Sequence, residues 1–395
     1  MSGRLSKTLS YYGAFIGLGL VIASLGPTIP GLAEQTGTTL GTLSYIFATR
    51  SAGYLTGAMF GGRLFDRLPG HPLLAGMLVL MAVGMAVVPL STTVSILTAV
   101  LFVVGFGEGA LDAGGNTLLV WIYPSGLGPW MNGLHFFFGV GAFISPLIIA
   151  AILDDGGTIA NAYWTLAALL VPFILFVVAL PSPKIAPHAE SGSGSLHEHR
   201  GTILLTGGLL FAAVGAEVGY GNWIYTYAFE QGLADAVTAA ELTSAYWGSF
   251  TVGRLAGIPI AARVRPFAIL LLCFAGIAAA SCLILLRPGD ATVLWAGTIV
   301  AGLTVAPMFA TIISLAEARM PISGRATGWF FLGSSSGGMS IPWIIGQLFE
   351  PYGPLSTFYV VLATVFVGLV VLVIFNRTSR SAGRSTTEPN TAIGE

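Results

Sequence analysis

The feature that most constrains this chain is a series of apolar stretches of about twenty residues, separated by short charged or Gly/Pro-rich breaks. A helix needs that length to cross the roughly 30 Å hydrocarbon core of a bilayer, whereas strands of a membrane barrel alternate over about ten residues. Only 8% of the residues are charged, against about 25% in a soluble domain. The sequence therefore predicts an all-α integral membrane protein with the lipid bilayer as its surroundings. It excludes a soluble enzyme, a disordered protein and a nucleic-acid-binding protein.

Twelve of these stretches are long enough to be transmembrane helices, and an even number places both termini on the same side. We predict spans at 10–32, 41–63, 72–91, 94–121, 131–152, 161–181, 202–228, 241–262, 267–286, 292–316, 325–349 and 355–376. Of the 16 Lys and Arg residues, 13 fall in the N-terminal tail, the even-numbered loops or the C-terminal tail. By the positive-inside rule, both termini of this multi-pass protein are cytoplasmic, and the cell (inner or plasma) membrane is the expected location.

One polar stretch divides the spans into two groups of six. Residues 181–200 (PSPKIAPHAESGSGSLHEHR) form the longest loop and read as a cytoplasmic linker. We therefore predict an N-terminal six-helix half at 1–180 and a C-terminal six-helix half at 201–376. Residues 377–395 are polar and are predicted to be a disordered cytoplasmic tail.

A weak internal repeat supports two pseudo-symmetric halves. At an offset of 200, Ser44, Gly53 and Gly57 of span two correspond to Ser244, Gly253 and Gly257 of span eight. At an offset of 196, Gly141 and Pro146 of span five correspond to Gly337 and Pro342 of span eleven. Two six-helix halves related by an axis along the membrane normal are typical of transporters that rock around a site near the bilayer midplane.

The loop after span two resembles a known signature. Residues 62–71 (GRLFDRLPGH) resemble the loop of the major facilitator superfamily, in which a Gly and three residues precede Asp-Arg, followed by Gly and basic residues. The match departs at its end, because His71 follows Gly70 where Arg or Lys is usual. The resemblance implies the major facilitator fold, with Asp66 and Arg67 as gate residues that latch neighbouring helix ends. A positive-inside anchor turn is the alternative reading.

Three further segments resemble the fucose:proton symporter family, and within it the sodium-dependent glucose transporter branch. They are GFGEGALDAGGN at 105–116, MNGLHFFFGVGA at 131–142 and VGAEVGYGNW at 214–223. The resemblance implies cation-coupled sugar transport, with Asp112 at the position of the coupling acid. The chain departs from the fucose symporter itself, because span one contains no acid.

Five ionisable residues other than His135 lie deep in the predicted spans. They are Arg50, Glu108, Asp112, Glu217 and Arg254. Each costs about 2.5–3.5 kcal/mol near a helix centre, so such residues face a partner or an aqueous cavity.

Two of these acids share one face of span four. Glu108 and Asp112 are four residues apart, and their mutual repulsion favours retention of a proton by one of them. Alternatively, the two carboxylates and the carbonyls of a helix loosened at Gly114 and Gly115 hold Na⁺. Asp112 is the expected coupling site, with Glu108 or Glu217 assisting.

The two buried arginines are expected to act as charge partners of these acids. Two roles for Glu108 have equal weight: a structural ion pair with Arg50, or assistance in cation coupling. Arg254 either neutralises Glu217 or contacts substrate. The same part is open to Arg50 in span two. His135 is expected to cap a helix or bind water, as an alternative to relaying a proton.

Aromatic and amide side chains near Glu217 have the composition of a sugar site. Aromatic faces pack against sugar C–H groups, and amides or carboxylates bond the hydroxyls. The expected substrate contacts are Asn116, Tyr220, Asn222, Trp223 and Trp247. The alternative is an aromatic belt at the outer interface, which accounts for Tyr227.

The sequence thus predicts a secondary active transporter working by alternating access, with symport of a monosaccharide or similar small polar solute. A carboxylate alone can carry H⁺, which we favour slightly over Na⁺. The alternatives are a proton-coupled exporter of lipophilic compounds and an uncoupled sugar facilitator. No motif for an enzyme, cofactor or metal centre is recognised apart from the Na⁺ alternative at Asp112, and a monomer is expected.

Overall fold

The computed structural model describes residues 2–183, 199–322 and 324–384, and within these ranges all regular structure is helical. The N-terminal half contains α1 (Ser2–Ala23), α2 (Ile29–Thr36), α3 (Leu40–Leu43), α4 (Tyr45–Phe65), α5 (Gly70–Val87), α6 (Val94–Ile122), α7 (Gly128–Asp154) and α8 (Ile159–Val178). The C-terminal half contains α9 (Arg200–Glu230), α10 (Ala236–Ala261), α11 (Pro266–Leu286), α12 (Ala291–Val305), α13 (Met308–Glu317), α14 (Gly324–Tyr352) and α15 (Ser356–Arg384).

Each predicted span coincides with one long helix or with two consecutive helical pieces. Within the described ranges, nine helical segments are long and apolar enough to cross a membrane by length and composition. The long helices outside that set are α4, α10 and α14. All three line the cavity between the halves.

Proline residues break two of the predicted spans. Span one ends its first helix at Ala23 and passes through a 3₁₀ turn, Gly26–Thr28, with Pro27 in its first turn. Span ten is divided between α12 and α13, with Pro307 just before α13. Proline lacks a backbone N–H and clashes with the preceding turn, so it interrupts an otherwise apolar helix.

Side-chain caps begin several of the helices. Thr158 and Asn161 form a reciprocal capping box at α8, and Thr93 accepts the Ile96 N–H at α6. Asp235 and Asp290 accept backbone N–H groups at α10 and α12. Each cap satisfies donors that have no partner within the helix.

Glycines at repeat positions allow equivalent helix contacts in the two halves. A Cβ on Gly141 would overlap the carbonyl oxygen of Ile16, which joins α7 to α1. A Cβ on Gly337 would likewise overlap the carbonyl oxygen of Phe211, which joins α14 to α9. Such close backbone approach requires residues without a side chain at the contact.

The halves meet through α7 with α10 and through α4 with α14. Two serines related by the sequence repeat form equivalent bonds there. Ser244 Oγ donates to the Phe143 carbonyl at 2.6 Å, and Ser44 Oγ donates to the Trp343 carbonyl at 3.4 Å.

Parts of two predicted segments lie outside the described residues. These are 184–198 of the linker and 385–395 of the tail. The last helix extends to Arg384, eight residues beyond the predicted end of span twelve at 376.

Candidate substrate and coupling site

A cavity of about 600 Å³ lies between the two halves. It is lined by α1, α4, α6 and α7 of one half and by α9, α10, α11, α13 and α14 of the other. We call the end of the molecule where α1 begins and α15 ends the inner end, and the opposite end the outer end. The lining extends toward the inner end at Asn132, Ala261 and Ser314.

The outer end is closed by contacts between the halves. The Leu40 N–H donates to Glu350 Oε1 at 3.0 Å, and Gln347 Nε2 donates to the Gly41 carbonyl at 2.6 Å. The 3₁₀ turn at Gly26 also approaches α9, because a Cβ there would lie 3.1 Å from the Gly221 carbonyl oxygen. The cavity therefore has its access at the inner end.

Arg50 and Glu108 form a buried bidentate ion pair on the cavity wall. Arg50 Nη2 lies 2.5 Å from Glu108 Oε1, and its Nε lies 3.1 Å from Oε2. Arg50 also donates to the carbonyls of Val21 and Ile22, at the end of α1 where helical hydrogen bonds stop. Of the two alternatives for Glu108, this geometry favours the structural pairing.

Asp112 is held by two neutral donors. The Tyr54 hydroxyl donates to Asp112 Oδ2 at 2.5 Å, and Asn116 Nδ2 donates to Oδ1 at 3.0 Å. Tyr54 and Asp112 line the cavity, whereas Asn116 is not part of that lining. Asn116 is therefore placed to orient Asp112, in contrast to its predicted contact with substrate.

Arg254 is the cation that the other two acids share. Its guanidinium interacts electrostatically with both Glu217 and Asp112, yet it forms a direct ion pair with neither in the described part of the chain. The guanidinium carbon lies 4.6 Å from the centre of the Phe250 ring, and Nε is buried without a hydrogen-bond partner. Arg254 is thus positioned by a cation–π contact, with donor capacity left free.

The charges on the cavity wall do not balance. Arg50 neutralises Glu108, while Arg254 faces two carboxylates, Asp112 and Glu217. If all these groups are ionised, one negative charge is left over in a site where an unpaired charge is costly. One bound monovalent cation would neutralise it.

The predicted substrate residues fall into two groups. Asn222 and Trp247 line the cavity. Trp247 is only 3% exposed, and its indole N–H has no hydrogen-bond partner. Asn222 donates to the Val218 carbonyl at 2.9 Å and keeps its amide oxygen free of bonds among the described residues. Asn222 therefore offers a hydrogen-bond acceptor to a solute, whereas the Trp247 N–H is unpartnered but buried in the cavity wall.

Tyr220 and Trp223 are placed away from the cavity, contrary to the predicted contact with substrate. The Trp223 indole donates to the Pro342 carbonyl at 3.0 Å, and its ring packs against Phe349 near the closed outer end. The Tyr220 hydroxyl bonds to Thr298 at 3.1 Å. Both residues lie on faces of α9 that pack against other helices. Residue type alone does not distinguish these faces from the face that lines the cavity.

The helix carrying Asp112 is not loosened at its glycine pair. α6 is continuous from Val94 to Ile122. Gly114 and Gly115 instead provide room for the rings of Phe65 and Phe15. The expectation that freed carbonyls in this stretch supply Na⁺ ligands is therefore corrected.

Tyr54 is the site residue that sequence reasoning missed. The repeat contained a signal for it, because Tyr54 follows Gly53 as Arg254 follows Gly253 at the offset of 200. His135, expected to cap a helix or bind water, lies on the cavity wall with its ring 5.9 Å from that of Phe15. It interacts electrostatically with Arg254.

The predicted gate residues lie on the turn after α4. Asp66 caps the C-terminal end of α4 through its backbone and is half-buried, and Arg67 is exposed. His71, which replaces the usual basic residue, bonds Tyr11 through Nε2 and the Leu180 carbonyl through Nδ1, both at 2.8 Å. His71 thereby ties α5 to α1 and to the end of α8.

Comparison with known families settles the wider relationship. Residues 8–339 match the sequence model of the Major Facilitator Superfamily. The chain belongs to this superfamily. This transporter family accounts for the two helical halves around one central cavity, and its members are multi-pass membrane proteins that carry small molecules.

This chain is similar to several proteins that are named for glucose transport. It is 32% identical to sodium-dependent glucose transporter 1 of Xenopus laevis, over 83% of this chain and 73% of the relative. It is 30% identical to sodium-dependent glucose transporter 1A of Mus musculus, over 85% of this chain and 88% of the relative. The resemblance to this branch is confirmed.

Solved structures share the fold at low sequence identity. The nucleoside transporter NupG superposes with a TM-score of 0.74 at 14% identity, covering 95% of this chain and 99% of that one. A bacterial homologue of the human lysosomal transporter Spinster, in an inward-facing and occupied conformation, gives a TM-score of 0.72 at 14% identity, with 95% and 96% covered. These likenesses confirm the major facilitator fold.

Proposed function

We propose that this transporter carries a monosaccharide together with one cation, by alternating access of the central cavity to the two sides of the membrane. The observation that carries the proposal is that two carboxylates, Asp112 and Glu217, share the single guanidinium of Arg254 on the cavity wall. A carrier that must be neutralised before it changes conformation couples solute movement to cation binding. Asp112 is the proposed coupling acid, with Glu217 as its assistant.

The solute side of the proposal rests on the polar groups beside that charge. Trp247 supplies a free N–H, Asn222 a free amide oxygen, and Glu217 lines the same cavity. Buried unsatisfied donors of this kind select ligands that bond them. A sugar hydroxyl both accepts and donates, and the relatives are named for glucose transport.

The cation is proposed to be H⁺ or Na⁺. The hydrogen bonds from Tyr54 and Asn116 engage both carboxylate oxygens of Asp112, which leaves fewer lone pairs for a Na⁺ ion that needs several oxygen ligands. The names of the relatives, sodium-dependent glucose transporters, favour Na⁺. Following the positive-inside pattern, we propose that the inner end is cytoplasmic and that the structure is open to the cytoplasm.

Uptake into proteoliposomes tests the proposal. Purified protein is supplied with radiolabelled glucose, galactose or fucose under an imposed pH gradient, an imposed Na⁺ gradient or neither, using wild type and Asp112→Asn. We expect accumulation above equilibrium with one of the two ions. We expect Asp112→Asn to lose that accumulation while it retains sugar exchange at equal concentrations. Accumulation that persists in Asp112→Asn would contradict the assignment of Asp112.

A second candidate is a proton-coupled exporter of lipophilic compounds. The wall toward the inner end is apolar at Leu255, Ile258 and Phe309, which suits such a solute. If no sugar moves under any gradient while a lipophilic cation is transported in the same liposomes, this alternative replaces sugar symport. Sugar equilibration without accumulation under either gradient would indicate an uncoupled facilitator.

A further inference from the structure

Tyr54 and Arg254 occupy equivalent positions in the two halves, and both act on the same acid. They are related by the offset of 200 that also relates Gly53 to Gly253. Tyr54 bonds Asp112 directly, while Arg254 of the other half lines the same cavity and forms no direct ion pair with Asp112 among the described residues. The C-terminal half has no corresponding acid, since α12 and α13 contain none before Glu317.

Asp112 therefore lies between two partners of different charge, one from each half. The other ionisable groups around it are Glu108, which is paired with Arg50, and Glu217 of α9. His135 of α7 interacts with Arg254. Among these described groups, Arg254 is the only arginine that forms no direct ion pair.

Resting on the proposed coupling role of Asp112, we propose that Tyr54 is a positioning residue that retains Asp112 in the N-terminal half while the inner end is open. Arg254 then takes over Asp112 when the inner end closes. The exchange replaces a neutral hydroxyl by a guanidinium, so Asp112 gains a counter-charge as the inner end closes.

The geometry of the two helices supports this exchange. α4 and α10 are repeat-related helices on opposite sides of the cavity, each packed closely through glycines on its own partner helix, α6 or α12. Rocking of the halves moves such pairs as rigid units around a central site. Closing the inner end brings α10 toward α4 and so brings Arg254 toward Asp112, which is fixed on α6.

Distances between spin labels on α4 and α10 test the exchange without using sugar. Labels are placed at Met59 and Ile260, both exposed near the inner end, with Cys273 and Cys282 replaced by Ser. Pulsed electron resonance in nanodiscs then measures the ratio of short to long distances without coupling cation, meaning at high pH and without Na⁺.

We expect Tyr54→Phe to increase the short-distance ratio roughly tenfold, because it removes one charge-assisted hydrogen bond that opposes the exchange. We expect Arg254→Gln to lower the ratio by a similar factor. In an Asp112→Asn background, Tyr54→Phe should have no effect. Tyr227→Phe is the matched control, since it removes a buried tyrosine hydroxyl bonded to the Pro288 carbonyl, away from the cavity.

Two results would overturn the exchange: an unchanged or lower ratio in Tyr54→Phe, or the same increase when Asp112 is already Asn. Failure of sugar symport is distinguishable from these. If Tyr54→Phe shifts the distances as expected but no liposome accumulates sugar, Asp112 still changes partner and only the solute assignment fails. If sugar accumulates and the distances do not shift, the symport proposal stands without this exchange.

Discussion

The Arg50–Glu108 contact shows how a charged residue inside a membrane helix can serve structure rather than transport. Arg50 is 9% exposed and Glu108 is 2% exposed. Their two hydrogen bonds, together with the bonds from Arg50 to the end of α1, satisfy both groups. At the residue scale, being charged and buried is therefore not enough to mark a transport residue, and the absence of a direct partner is more informative.

Glu108→Gln should destabilise the protein by about 3–5 kcal/mol, because it leaves the buried guanidinium of Arg50 without a counter-charge. Unfolding in detergent micelles measures the change. Glu350→Gln is the control, since Glu350 is exposed and the side-chain amide oxygen of the variant can still accept the Leu40 N–H. Equal stability of the two variants would contradict a structural role for the Arg50–Glu108 pair.

Trp247→Phe should raise the sugar concentration for half-maximal uptake roughly fivefold, the effect of losing one hydrogen bond. The phenyl ring retains most of the packing, and the deleted N–H bonds no protein group. Concentration-dependent uptake in liposomes measures this. Trp343→Phe removes another unpartnered indole N–H outside the cavity lining, and an equal effect there would argue against a substrate contact at Trp247.

At the scale of helices, close contacts through glycine make each half a set of fixed pairs. α4 with α6 and α10 with α12 repeat one arrangement, and α1 with α7 and α9 with α14 repeat another. The small residues of α7 and α14 belong to these pairs, because Gly141 and Gly337 allow tight packing inside each half.

Gly141→Ala should lower the free energy of unfolding by about 1–3 kcal/mol, because the added methyl group overlaps the Ile16 carbonyl and forces α7 from α1. Gly76→Ala is the matched control on α5, where a Cβ meets nothing within 4 Å. There the better helix propensity of alanine should give unchanged or higher stability. Unfolding in micelles distinguishes the two, and equal stability would refute the packing argument.

For the whole molecule, the cross-half contacts at the outer end and the cavity reaching the inner end define one state of a transport cycle. Bonds from Gln347 and Glu350 to Gly41 and Leu40 must break before the outer end opens. These contacts join only a few polar groups, so they can close that end and still be reversed.

Cross-linking should therefore lock this state. With Cys273 and Cys282 replaced by Ser, a short bifunctional thiol reagent should join Gly41→Cys to Gln347→Cys and abolish net uptake. The same reagent should not join Met59→Cys to Ile260→Cys, because the inner end is open. Gel mobility and uptake measure both results. Cross-linking of the inner pair alone would contradict the inward-open state.

The site illustrates how far sequence reasoning reaches. Span four was singled out through its two acids and Arg50 through its position in an apolar stretch, and the structure places all three residues on the cavity wall. Which face of α9 lines the cavity could not be derived from the sequence, because apolar residues are distributed around the helix and leave no clear amphipathic face. Trp223 and Asn222 are neighbours in sequence, yet one packs at the outer end and the other faces the cavity.

By itself, the sequence determined the membrane-spanning helical class, the two related halves and the family. Apolar length, loop charge and motif spacing are properties of local segments, and the bilayer makes them sufficient. The tertiary structure alone decided which charges are paired, that Tyr54 holds Asp112, and which end is open. Those depend on helix rotation and on contacts between residues more than fifty positions apart, which close packing between whole helices decides.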